Sequence, residues 1–345
     1  MRTPRPRGPV STTLLAHLTR PPHALPPAVE HAARQSRTGD AGAALGEEDL
    51  QLSLWVCYEL SYRGFDDVDH AWETEPSLLA LRRVLERRLL AALEHVTADA
   101  PRERVAPEAV PAALTALIDA DNGPPLATYL QREATAEQFG EFVAHRSIYH
   151  LKEADPHSWA IPRVGGRAKA ALVEIQADEY GGGRFERMHS QLFGSMMRDL
   201  GLDDTYGAFL DQVPGVTLAV SNTMSLFGLH RRWTPALLGH LAVFEMTSSL
   251  PNRRYGNGLR RLGYDAATTL FYDEHVEADA VHEQIAAHDL CGGYAADYPS
   301  TTGDLLFGAA CALAVDNAMA EHVLTSWQAG HSSLRTQAWA PSDAA

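Results

Sequence analysis

Apolar residues along most of the chain recur at the three- and four-residue spacing of a helix surface. Leu50, Leu54, Cys57, Tyr58 and Ser61 trace one face, with Trp55 and Leu60 beside it, and Arg63-Gly64-Phe65 ends that helix. Glu75-Pro76 starts the next, with Pro76 in its first turn, and Leu78, Leu79, Leu81, Leu85, Leu89, Leu90 and Leu93 follow. A shorter helix covers 109–118, and Asn122-Gly123-Pro124-Pro125 closes this section. Thr135-Ala136-Glu137-Gln138 has the capping-box spacing and opens a long helix running toward Asp155-Pro156, with Glu153 in its last turn. After Gly165-Gly166 a helix passes Lys169, Leu172 and Ile175 to Tyr180. Gly181-Gly182-Gly183 interrupts it, because three glycines disfavour an unbroken helix, and it resumes through Met188, Leu192, Phe193 and Met196. Helices follow over 216–227 and 233–249, the second mostly apolar yet containing Glu245. Residues 252–263 read as a loop with two Arg pairs, and helices over 266–288 and 305–327 complete the pattern. No strand alternation of useful length and no short repeat interrupts it, so the chain is expected to be all-α.

The same pattern divides the chain. Residues 1–43 are rich in Pro, Arg, Ala and Gly, with Pro21-Pro22 and Pro26-Pro27 as helix breakers, and are expected to be a mobile tail or one laid over the surface. Residues 44–130 read as a helical accessory or dimerisation domain, 131–330 as the core, and the polar 331–345 as a second tail.

Composition narrows the class. A formal net charge of −15 argues against a nucleic-acid binder, which would show a basic stripe, and opposes binding to anionic membranes. No run of eighteen apolar residues suggests a membrane span, and Met1–Pro9 is not followed by the apolar segment of a signal peptide. Cys57, Cys291 and Cys311 are too few and scattered for a disulfide framework or a thiolate metal site. A cytoplasmic protein with buried thiols is expected.

Chemistry concentrates in His275-Val276-Glu277-Ala278-Asp279-Ala280-Val281-His282. Its His, Asp and His at i, i+4 and i+7 fall within about 60° on a helix surface. Two imidazoles and a carboxylate on one stripe suit iron, manganese or zinc. His189, after the triple glycine, is a fourth candidate. A carboxylate partner for it is less defined: Glu186 has the Glu-x2-His spacing of ferritin-like sites, whereas Glu179 lies across the glycines, and spacing does not place Glu153. Glu245 lies within Leu241-Ala-Val-Phe-Glu-Met, where a carboxylate is costly to bury unless paired or metal-bound. It is a candidate ligand, an acceptor for a ligand, or a substrate contact. Gln176, Asp178 and Glu277 are candidate partners for imidazole N–H groups, and His145, His150 and His157 read as structural.

The stretch from Lys169 through Glu179-Tyr180-Gly181-Gly182-Gly183, then His189, then His275-x3-Asp279-x2-His282 resembles the haem-oxygenase-like diiron oxidases and oxygenases, the iron-containing redox enzymes. The resemblance covers about 135–327. It implies a helical bundle of about seven core helices behind a small N-terminal helical domain. It also implies six iron ligands, Glu153, Glu179, His189, His275, Asp279 and His282, and so favours Glu179 over Glu186.

Two ferrous ions so held can each pass one electron to O2, the co-substrate, and an external electron donor, a reductase or a small reductant, is compatible with this. Helices such as the one through Trp55, Tyr58 and Tyr62 resemble the N-terminal domain of N-oxygenating members, where it supports dimerisation. The expectation is therefore a homodimeric N-oxygenase of a small amine-bearing metabolite, in specialised-metabolite biosynthesis. The alternatives are an oxidative C–C lyase or decarboxylase acting on an amino acid or fatty acid, and a non-enzymatic iron-binding helical protein.

Overall fold

The computed structural model describes residues 1–35 and 42–335, apart from the side chains of 277–281. Its elements are helical throughout the described residues. In chain order they are α1 (Pro9–Leu18), α2 (Pro27–Gln35), α3 (Glu48–Glu59), α4 (Pro76–Val96), α5 (Val110–Asp119), α6 (Leu126–Arg132), α7 (Ala136–His150) and the single turn α8 (Asp155–Ser158). There follow α9 (Gly166–Glu179), α10 (His189–Asp199), α11 (Gly215–Leu229), α12 (Thr234–Thr247), α13 (Ser249–Arg261), α14 (Ala266–Gln284), α15 (Gly293–Asp297) and α16 (Thr302–Gln328). A wide π-helical stretch, Ile285–Gly292, continues α14.

Local chemistry sets many of these boundaries. Glu75 accepts from the Leu78 amide and Pro76 fills the first turn of α4. Thr135 and Gln138 form the reciprocal capping box of α7. Gly181, Gly182 and Gly183 all have positive φ and end α9 in a 3-10 turn. α16 is long and apolar enough, by length and composition, to cross a membrane, but 61% of its most apolar window is buried. It packs along α12 and α11 as the central core helix.

Three expectations need correction. Residues 1–35 are not a loose tail. The proline pairs only separate α1 from α2, and Val10, Leu14, Leu18, Val29 and Ala33 join the same apolar cluster as α3 and α4. The N-terminus of α1 is held by Asp49, whose carboxylate accepts from the amides of Val10 and Ser11 at 2.8 Å. Residues 252–263 are not a loop but most of α13. Gly256 and Gly258 lower its intrinsic propensity, but packing needs one of them: a Cβ at Gly258 would lie 2.6 Å from the Leu130 carbonyl oxygen. Finally, α7 ends at His150, before Glu153. The chain leaves the helix through turns, and Ala154 adopts φ 71°, left-handed for an L-residue.

Candidate metal centre

Five elements converge on a buried cluster of carboxylates and imidazoles. The turn after α7 supplies Glu153, the end of α9 supplies Glu179, the start of α10 supplies His189, and α14 supplies His275 and His282. Glu245 enters from α12. Glu153, Glu179, His189 and His275 can each offer an atom to one group whose members lie within 4.8 Å of one another. Glu179, Glu245 and His282 form a second such group. Glu179 belongs to both. Asp279, the remaining sequence candidate, lies outside the described side chains. Glu186 is exposed in the turn before His189, away from this cluster.

Neighbouring groups fix which atoms face inward. His275 Nδ1 lies 2.7 Å from the Phe271 carbonyl oxygen. It therefore donates there, leaving Nε2 with its lone pair toward the site. His282 Nε2 is 2.9 Å from Asp178 and Nδ1 is 3.3 Å from Glu245. Asp178 thus orients this imidazole, one of the roles open to it from sequence. Gln176 does not do so: its amide donates to Ala154 O and Ser158 Oγ. Glu277 lies outside the described side chains. His150 departs from a purely structural role, because its Nδ1 stands 2.6 Å from Glu153 Oε1. His145 is tied to Thr217 and Ser333, and His157 pairs with His240 at 3.3 Å.

Burial and close charge pairing shift the titration of every group in the cluster that follows. Burial, then the Glu179 charge, pushes Glu153 up to about 8. Burial also opposes the charge of Glu179, but His189 and then His275 and His282 outweigh it and hold that carboxyl low. Burial likewise opposes charge on His189, yet the adjoining Glu179 lifts it to about 9. The bond to Glu245 lifts His282 to about 9. Burial, then the neighbouring His189, lowers His275. Burial raises Glu245. Glu153 Oε2, Glu179 Oε2 and His189 Nδ1 are buried without a hydrogen-bond partner, although buried polar atoms normally have one. Glu179 and His189 approach at 3.0 Å but out of line for a hydrogen bond. Three orphaned donor atoms converging in one place fit a metal ion, and an imidazole-carboxylate set suits iron, manganese or zinc.

A cavity of about 280 Å³ opens on this cluster. Glu153, Glu179 and Glu245 line it together with the apolar surface of Phe142, Tyr149 and Phe244 and the Arg146–Asp316 ion pair. Phe193 and Phe271 pack against the outer faces of His150, His189 and His275.

A family model described as iron-containing redox enzyme matches residues 140–317, just over half of the chain. Nitrosourea synthase from Streptomyces achromogenes subsp. streptozoticus is 26% identical over 142 residues, 41% of this chain and 30% of that relative. The match thus spans less than a third of the relative's length.

Proposed function

This chain belongs to the iron-containing redox enzyme family, and from that premise we propose that it is a non-haem diiron oxygenase that uses O2 to oxygenate the nitrogen of a small amine-bearing metabolite. The observation that carries the proposal is Glu179, whose carboxylate is common to two donor groups beside a cavity. Glu153, His189 and His275 would hold one iron with Glu179, and His282 and Glu245 the other, with Asp279 completing the set. Bound there, two ferrous ions would supply the pair of electrons that O2 activation requires.

The chain's own residues have three tasks. Phe271 O and Asp178 each orient one imidazole through one nitrogen, so that Nε2 of His275 and Nδ1 of His282 face the donor groups. Phe193, Phe271, Tyr149 and Phe244 line the site and the cavity with apolar surface, which limits water. Glu245 borders both the second donor group and the cavity, and is proposed to contact the amine as well as the metal. Nitrogen oxygenation is favoured over carbon chemistry because the relative is named for a nitrosourea, a compound with an N-nitroso group.

Anaerobic titration of the metal-free chain with Fe(II), rapid mixing with O2, and mass analysis of products from a panel of amines test this reading. Two irons per chain, O2 consumption and oxygen added at nitrogen are expected. A shortened carbon skeleton would replace it with an oxidative lyase, and bound iron without O2 consumption would leave an iron-binding protein. Intact iron loading and amine affinity in Glu245→Ala would remove Glu245 from the amine site.

A further inference from the structure

Glu153 lies between two residues that are anchored to different parts of the molecule. On one side, Lys152 is 2% exposed and its Nζ lies 3.3 Å from Glu59, which is fully buried at the end of α3. The ammonium also lies over the rings of Tyr62 at 4.3 Å and Trp55 at 5.3 Å, and Tyr206 donates to the same Glu59 carboxylate at 2.7 Å. On the other side, Gln176 of α9 donates to the Ala154 carbonyl at 2.9 Å and to Ser158 Oγ at 2.7 Å. Tyr180 adds a bond to Asp155 at 2.9 Å. Arg63 reaches the Leu151 carbonyl at 3.0 Å.

These contacts surround a turn with an unusual backbone conformation. Ala154 is the one non-glycine residue with positive φ among the described residues. Such conformations persist where their surroundings over-determine them. A buried ion pair is rarely the most stabilising way to fill a core, and its best-attested use is to fix one arrangement among several. The matched family segment begins at residue 140, so Glu59 and Arg63 lie outside it.

We infer that Glu59, Lys152 and Gln176 are positioning residues that clamp the Glu153 turn from both sides and set the metal affinity of the Glu153–Glu179–His189–His275 group. The inference rests on the metal reading above and adds that the N-terminal helices are part of the metal centre. It separates two donor groups: the clamp acts on the group containing Glu153 and leaves Glu179–Glu245–His282 unaltered.

The test is an anaerobic titration of the full-length, metal-free chain with cobalt(II) alone, followed by visible absorbance and equilibrium dialysis. Two variants are compared with the parent. Gln176→Met removes the amide donor at similar size. Glu59→Gln combined with Lys152→Met removes both buried charges together and keeps an acceptor for Tyr206. Both should unfold close to the parent's temperature. Each should lose roughly 10- to 100-fold in affinity for one cobalt, the usual effect of removing a group that orients a ligand, with an altered visible spectrum, while the other cobalt binds as before. Parental affinities and spectra in both variants would overturn the clamp while leaving the metal reading intact. If the double variant does not fold, Gln176→Met decides alone. A parent that binds no cobalt would overturn the metal reading, and this inference with it.

Discussion

Glu179 Oε2 lies 3.0 Å from His189 Nδ1, although the two residues are ten positions and three glycines apart. A continuous helix could not bring them together, because ten residues advance a helix by about 15 Å. The turn at Gly181 folds α9 back toward the start of α10. A Cβ at Gly181 would lie 2.5 Å from the Arg187 carbonyl carbon, at φ 64°.

Gly181→Ala is therefore expected to lower stability by about 2 kcal/mol or more, since it meets both backbone strain and a steric clash. It should also reduce bound metal by moving His189. Gly182 has a similar φ of 61° but open space around it. Gly182→Asn should cost less than about 1 kcal/mol, because Asn tolerates the left-handed region. Thermal unfolding and metal analysis of the two variants would check this, and equal behaviour would refute the steric account.

Sharing of Glu179 by both donor groups predicts an asymmetry among single substitutions. Glu179→Ala should abolish binding of both ions. Glu153→Ala and Glu245→Ala should each weaken one ion and spare the other. Bound iron after anaerobic desalting reads this directly, and a Glu179→Ala protein that retains one tightly held iron would show that the carboxylate is not shared.

Most helices were legible in the sequence because their ends carry side-chain chemistry: Pro76, Thr135 with Gln138, and the triple glycine all mark boundaries in the fold. α13 was not, because it is held by tertiary contact. Arg261 reaches the carbonyls of Gln131 and Ala134, and Gly258 permits the approach to α6, neither of which leaves a periodic trace. At the site, His275 and His282 share a helix and were legible by spacing. The choice between Glu179 and Glu186 was not, because spacing rules fail across a break in the helix. Sequence gives no sign of the contact His150 makes, because it depends on where the helix ends and on the turn that brings Glu153 within 2.6 Å of its Nδ1. Asp178 was legible only as one of three candidate partners for an imidazole.

Ala154 offers a test of backbone strain. Its φ of 71° costs an L-residue roughly 1–2 kcal/mol, and the residue is buried at 1% exposure. Ala154→Gly removes the strain but adds freedom to the unfolded chain, so its stability should lie within about 1 kcal/mol of the parent. Ala154→Val adds a β-branch at positive φ and crowds a filled site, and should cost more than about 2 kcal/mol. Urea unfolding of both variants measures the difference; a Val variant as stable as the Gly variant would mean that the turn is not strained.

Protons and metal compete for the same atoms, which gives the centre a pH dependence of defined sign. In the metal-free chain Glu153 is raised to about 8, and His189 and His282 to about 9. All three therefore hold protons at neutral pH, and a cation must displace them. Each raised group stabilises the metal-free fold below its unfolded value and loses that contribution as pH rises through its folded value. The contribution of Glu153 should thus fall between about pH 4.5 and 8 and that of the two imidazoles between about pH 6.5 and 9, whereas His275, lowered by burial, contributes with the opposite sign. Metal affinity moves the opposite way, rising over the same range as the competing protons leave. The gap in unfolding temperature between manganese-loaded and metal-free protein should accordingly widen from about pH 6 to about pH 8.5. Calorimetry at neutral pH in buffers of different ionisation enthalpy should show net proton release on binding. A gap that narrows with rising pH, or binding without proton release, would mean that the cation does not take the places of these protons.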